Sequence, residues 1–145
     1  MRTLYQFLRS RGYKRVRLQT LPTNHYLVYA TLNGVKGRFI LDTGASTTCV
    51  STELTVHFNL NAKPSEEKAS SASSNELYTE VAHYNSLKIG DWSSKRRSLV
   101  LFDMQAVNLA LKKLDIESVD GIIGADVLQS IKAVIDYQND WLYVK

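Results

Sequence analysis

Polar and apolar positions alternate along much of this chain with the period of a β-strand rather than a helix. Val16-Arg17-Leu18-Gln19 alternates, residues 25–32 are rich in Tyr, Leu, Val and Thr, and residues 35–41 return as an apolar run. Between the last two lies Asn33-Gly34, which predicts a tight hairpin, because both central positions of the favoured turn require φ > 0. A β-branched stretch follows at 47–54, alternation resumes over 77–89, and Gly90-Asp91 marks a turn before an apolar strand at 98–102. Residues 116–124 read as strand and turn, and 133–137 and 141–144 form a final hairpin around Asn139-Asp140.

Helical spacing is scarcer. Leu4, Phe7 and Leu8 predict a short helix over 3–11 that Gly12 ends. Met104, Val107, Leu111 and Leu114 make an apolar stripe, expected to pack on the core, with Asp103 placed to cap it. Residues 125–131 predict one more short helix. Residues 61–76 change character: Lys63-Pro64-Ser65-Glu66-Glu67-Lys68 and Ser70-Ser71-Ala72-Ser73-Ser74-Asn75 are polar, and predict a loop or mobile hairpin tip rather than core. The chain has no repeat of solenoid length. The pattern as a whole predicts a mainly β domain, closed or nearly so, with one or two short helices.

Composition narrows the class. A chain of 145 residues, 44% apolar and 22% charged, fits one globular domain with a real core. It has no apolar run of the roughly 18–20 residues that span a bilayer, and no apolar segment follows the basic N-terminus, so a cytoplasmic location is expected. The single cysteine, Cys49, cannot form an internal disulfide and sits in a strand-like context, as a small core hydrophobe would. His25, His57 and His83 lack metal-ligand spacing, and there is no phosphate-cradling glycine motif, so neither a metal nor an organic cofactor is expected. Ser46 lies outside any nucleophile elbow.

Charge is unevenly spread. Residues 1–41 hold Arg2, Arg9, Arg11, Lys14, Arg15, Arg17, Lys36 and Arg38 with no Asp or Glu, against a formal net charge of +4 for the whole chain. Such an arm could meet nucleic acid or an anionic membrane, but Tyr5, Phe7 and Tyr13 form no RNA-binding pattern, and a solvated face is the plainer expectation.

Two motifs carry chemistry. In Phe39-Ile40-Leu41-Asp42-Thr43-Gly44-Ala45-Ser46 an apolar strand delivers an aspartate into a turn. Some eighty residues on, Asp120-Gly121-Ile122-Ile123-Gly124-Ala125-Asp126-Val127-Leu128 places two aliphatics and a glycine before a short helix. In this order and spacing the pair resembles the retropepsin-like aspartic peptidases, over about residues 24–145, with residues 1–23 as a basic extension outside the match.

The resemblance implies a small closed acid-protease barrel acting as a homodimer. Asp42 would be the catalytic group, Thr43, Gly44 and Ala45 would support its loop, and Ile122, Ile123 and Gly124 would pack beneath it. A flap over residues 65–82 would have its tip at Ser71, Ala72, Ser73, Ser74 and Asn75, which is glycine-free where family tips are usually glycine-rich. The strand-like Trp141-Leu142-Tyr143-Val144 would either interleave with a partner or close the chain's own core. The implied activity is aspartic endopeptidase cleavage of extended polypeptides, and the alternative is a barrel that dimerises or binds without turnover.

Elementary chemistry points the same way. Two adjacent carboxyl groups cannot both ionise cheaply, so such a pair shares a proton; one member activates water and the other donates to the scissile carbonyl. The chain has one Asp-Thr-Gly and no Asp-Ser-Gly. A two-fold dimer is then the economical way to bring a second aspartate. Ala45 supplies no hydroxyl to the aspartate, which predicts a less acidic working range than that of pepsin-like enzymes.

Overall fold

The computed structural model describes the backbone of residues 1–69 and 77–145, and side chains outside 66–79. The expected hairpin is present: β3 (Tyr26–Leu32) and β4 (Val35–Leu41) pair antiparallel through Asn33 and Gly34, whose φ angles are 49° and 82°. From this hairpin a barrel is built. β4 runs parallel to β9 (Gly121–Ile123), which lies antiparallel to β5 (Cys49–Ser51). Next come β8 (Trp92–Phe102), β7 (Leu77–Ile89) and β6 (Ala62–Ala69), and β7 returns to β3 through Thr31 opposite Lys88 and Leu32 opposite Leu87. That last pairing closes six strands into a ring, as expected for the mainly β class.

A second, three-stranded sheet sets β11 (Trp141–Val144) between β1 (Lys14–Arg17) and β10 (Val134–Asp136). β11 therefore has both edges filled by its own chain, and it closes the chain's own sheet. The short β2 (Gln19–Thr20) joins β3. Residues 14–20 are thus woven into both sheets, and Leu18 is buried in the main core.

The apolar run of β4 follows from its position. Phe39 and Leu41 face the main cluster with Val50, Phe58, Leu101 and Ile123, while Ile40 faces a second cluster of Leu27, Met104, Leu111, Ile116 and Val119. A strand buried on both faces reads as continuous hydrophobicity. The second cluster is roofed by α2 (Gln105–Lys113), where Asp103 accepts from the Gln105 N–H at 2.9 Å. Its stripe is shorter than the spacing suggests: Met104 and Leu111 are buried, but Leu114 is exposed. The N-terminal helix α1 (Leu4–Ser10) carries a capping box between Thr3 and Gln6, and α3 (Ala125–Ser130) directly follows β9.

Three expectations are corrected. Residues 61–76 were expected as loop or hairpin tip, yet Ala62–Ala69 is strand, held by its ladder to β7. It is an edge strand, so Pro64 removes no essential ladder donor. Strand β8 begins six residues before the expected apolar run at 98–102, because Trp92 to Arg97 are exposed or half-buried and leave no apolar signal. Over 116–124 only three residues are strand; Ile116 and Val119 are buried by packing under α2 instead.

Candidate active site

Asp42 stands at the end of β4, half-buried, with Thr43 and Gly44 exposed beside it. Its backbone N–H donates to Ile123 O at 3.0 Å, extending the β4–β9 ladder by one step. The chain then turns tightly: the Gly44 N–H donates to Asp42 Oδ1 at 2.8 Å and the Ala45 N–H to Asp42 O at 3.2 Å. Among the described residues no side chain donates to the Asp42 carboxylate, and Ala45 has none to offer.

The second motif clasps this turn. The Ala125 N–H donates to Ala45 O at 2.7 Å, and the Gly124 N–H to Thr48 Oγ1 at 2.9 Å. Gly124 must be glycine, since a Cβ there would sit 2.7 Å from Ala45 O and 2.9 Å from the Thr47 carbonyl carbon. Gly121 is tighter still, with a Cβ position 2.2 Å from Cys49 O. Ile123 is fully buried beneath Asp42, whereas Ile122 is half-buried and packs toward the second cluster. The structure thus brings together Asp42, Thr43, Gly44, Ala45, Ile122, Ile123 and Gly124. The expected flap tip, Ser71, Ala72, Ser73, Ser74 and Asn75, lies outside the described residues.

Two partners were not read from sequence. Thr48, 1% exposed, gives its hydroxyl to Asp126 Oδ1 at 2.7 Å, and its N–H also points at that carboxylate, 3.0 and 3.1 Å from the two oxygens. Asp126 further accepts from the Val127 N–H at 2.8 Å. A carboxylate taking three donors is a strong clamp. It ties the strand leaving the Asp42 turn to the start of α3. Asp120 does similar work at the far end of β9, where its Oδ2 accepts from the Arg38 N–H at 2.8 Å. The available signal was the polar Thr48 at a strand position and the Asp126 at the start of a helix.

Asp42 and Thr43 line a cavity of about 160 Å³ with Asn24, His25, Tyr26 and Ile135. Tyr26 donates to Asp140 Oδ1 at 2.7 Å; burial first, and then that carboxylate, push its hydroxyl up to about 12. Burial likewise pushes the Cys49 thiol up to about 11, with Asp126 and Asp42 adding to it. Cys49 is half-buried, and its thiol stays protonated at neutral pH. Among the described residues no cluster of three or more His, Cys, Asp or Glu is arranged to hold a metal.

A six-stranded barrel carrying an Asp-Thr-Gly turn against a hydrophobic-hydrophobic-glycine strand defines a retropepsin-like aspartic protease fold. The sequence matches the aspartyl protease family over residues 28–127, more than half its length, and the chain belongs to that family. Among solved structures it is similar to a retropepsin-like aspartic protease from Rickettsia conorii (TM-score 0.65, 19% identity, covering 91% of this chain and 90% of that one). It is also similar to the EIAV protease in complex with the inhibitor HBY-793 (TM-score 0.58, 14% identity, 81% and 98% covered). The retroviral protease-like domain of Ddi1 from Leishmania major is a third (TM-score 0.57, 15% identity, 82% and 86% covered). At these identities the likeness is one of fold. No match to a curated protein emerges. Among the described residues no helix is long and apolar enough to cross a membrane.

Proposed function

We propose that this chain is one half of an aspartic endopeptidase, in which Asp42 from each of two copies shares a proton and a water across a two-fold axis. The observation that supports it most directly is the lone Asp-Thr-Gly turn, presented at the surface with Thr43 and Gly44 exposed and braced from below by β9 and α3. One carboxylate draws a proton from water, the other acid donates to the substrate carbonyl, and the tetrahedral intermediate collapses without a covalent enzyme species. Thr43 would link the two turns, Gly44 and Ala45 would let them approach, and Ile122, Ile123 and Gly124 would hold each from beneath. Polypeptide substrates would lie extended over the pair, under the hairpin of β6 and β7, with apolar side chains at the scissile bond. No metal or organic cofactor enters this scheme.

The reading also selects a surface for the partner. β1 and β10 are the outer strands of the three-stranded sheet. Two copies of β1 facing each other would oppose Lys14, Arg15 and Arg17, a repulsive pairing. β10 instead presents Val134 and Ile135, and Ile135 lines two cavities together with Thr43. A partner added at β10 would bring its own Asp42 near the first and give a sheet of six strands.

The test is cleavage of a diverse unstructured peptide pool from about pH 3 to 8 at several protein concentrations, beside Asp42→Asn. Cleavage that Asp42→Asn abolishes, rising steeply with concentration, is the expected result. A folded dimer that cuts nothing would establish the alternative, a barrel that binds or dimerises without turnover.

A further inference from the structure

The basic N-terminal region is folded onto the rest of the chain through α1 and β1. α1 is anchored by Leu8, 6% exposed, and the chain after it is held by the Tyr13 N–H on Leu8 O at 3.1 Å and the Tyr13 hydroxyl on Lys132 O at 2.9 Å. Beyond that anchor, α1 turns apolar groups outward: Leu4 is 45% exposed and Phe7 43%. Leu4, Phe7 and Arg11 stand at i, i+3 and i+7, on one side of the helix, and the Arg11 guanidinium lies 5.3 Å from the centre of the Phe7 ring. On the adjoining strand, Arg15 is stacked 3.8 Å from Tyr5 and 4.1 Å from Trp141, and Arg17 sits 4.4 Å from the same Trp141 ring.

No carboxylate among the described residues neutralises these cations. Among the described residues the ion pair that forms is Arg38 with Glu117, elsewhere on the surface, and Arg2, Arg9, Arg11, Arg15 and Arg17 have no carboxylate within pairing distance. Like charges held together raise the energy of the free surface, and an anionic partner relieves it. The aromatic rings decide the kind of anion. A single-stranded nucleic acid needs open ring faces on which bases stack, yet Tyr5, Trp141 and Tyr13 already carry cations of this chain, Lys145 being 5.6 Å over Tyr13. Exposed Leu4 and Phe7 beside guanidinium groups suit instead a layer that is anionic at its surface and apolar just below it.

We infer that α1 and β1 form a peripheral docking surface for a bilayer rich in anionic headgroups, with Leu4 and Phe7 entering the interface and Arg2, Arg9, Arg11, Arg15 and Arg17 holding the headgroup charge. The surface lies at the opposite edge of the three-stranded sheet from β10: β1 is separated from it by the full width of β11, about 10 Å of sheet. Docking through β1 would leave the β10 edge free. The inference does not depend on the peptidase reading.

The experiment is co-sedimentation of the full chain with vesicles of phosphatidylcholine alone and of phosphatidylcholine with about 30% phosphatidylserine. Partition onto the anionic vesicles should be at least ~10-fold stronger than onto the neutral ones, and should collapse when salt rises from about 0.1 M to 0.5 M. Arg9→Gln with Arg11→Gln should weaken it about 10-fold or more, and Leu4→Ser with Phe7→Ser by a similar factor. Both pairs are at exposed positions, and circular dichroism would confirm that each variant is folded. Equal partition onto both vesicle types, or none onto the anionic one at the lower salt, overturns the inference. So does tighter binding to a single-stranded oligonucleotide that the Leu4 and Phe7 variant retains.

Discussion

The Thr48 hydroxyl sits between the two motifs, donating to Asp126 at 2.7 Å while accepting from the Gly124 N–H at 2.9 Å. One buried oxygen thereby satisfies a donor on the glycine under the Asp42 turn and a carboxylate at the start of α3. Thr48→Val keeps the shape and removes both bonds, leaving the Gly124 N–H unpaired in a buried place. The expected loss is about 2–3 kcal/mol in chemical unfolding, with peptide cleavage falling alongside. Thr48→Ser, which restores the hydroxyl, should recover most of both.

Glycine 121 makes a sharper steric prediction. A methyl at Gly121 would stand 2.2 Å from Cys49 O, and backbone cannot swing away as a side-chain tip can. Gly121→Ala should therefore cost about 3 kcal/mol by forcing β9 from β5. Gly34→Ala is the useful contrast, since nothing lies within 4 Å of its Cβ position and only the φ of +82° opposes it. Its expected cost is about 1 kcal/mol. Thermal unfolding of the two variants side by side would check the order.

How much of this was legible beforehand depends on where each residue's signal originates. The β3–β4 hairpin was readable because Asn33-Gly34 encodes its own turn, and the Asp42 turn because an apolar strand ends on it. The short β9 was hidden within a longer expected strand, since Ile116 and Val119 are apolar for a different reason, packing under α2. β6 carries no strand signal because it is an edge strand, and of its described side chains Ala62 alone packs on the main core, which leaves no alternation to read. The Thr48–Asp126 clamp joins residues 78 apart in sequence; a polar residue in a strand-like stretch and an acid at a helix start were its local traces, and neither specifies its partner. The place of β11 in the middle of its sheet was equally invisible, because strand character does not specify which neighbours a strand will find.

Cys49 offers a test of burial by chemistry. With its thiol pushed up to about 11, chiefly by burial, from an ordinary 9.0, its thiolate fraction at pH 8 falls about 100-fold. Maleimide labelling of the folded protein at pH 8 should be slower than that of a free thiol by at least that factor. A raised acid constant means the reactive form appears only as pH climbs, so the rate should still be rising at pH 10. Unfolding in guanidinium should restore ordinary reactivity.

Ala45 bears on the pH range of the proposed reaction. A hydroxyl at that position could donate to the Asp42 carboxylate, which at present receives the Gly44 N–H at 2.8 Å. Such a donor favours the ionised form. Ala45→Ser should therefore move the acid limb of the activity profile downward by about half to one pH unit. The wild-type profile should peak above about pH 3, where pepsin-like enzymes still work. Initial rates across the pH range, at a concentration where both proteins are dimeric, would check this; an unmoved acid limb would mean the added hydroxyl does not reach the carboxylate.

The proposed two-fold axis yields the last prediction. Ile135 and Thr43 line the same cavities, one of about 160 Å³ and one of about 270 Å³, so a partner close enough to share the Asp42 water must also cover Ile135. Ile135→Lys would place a charge from each copy against the other in a desolvated contact. That should weaken the dimer by ~100-fold or more and abolish cleavage at ordinary protein concentration. Because Ile135 also packs partly on the main core, its melting temperature must be measured beside its sedimentation; a folded monomer is the expected outcome. Arg17→Gln, on the opposite edge of the sheet, should leave association unchanged. The reverse pattern, with Arg17→Gln altering the dimer and Ile135→Lys leaving it intact, would move the axis to β1 and require the two aspartates to meet by another route.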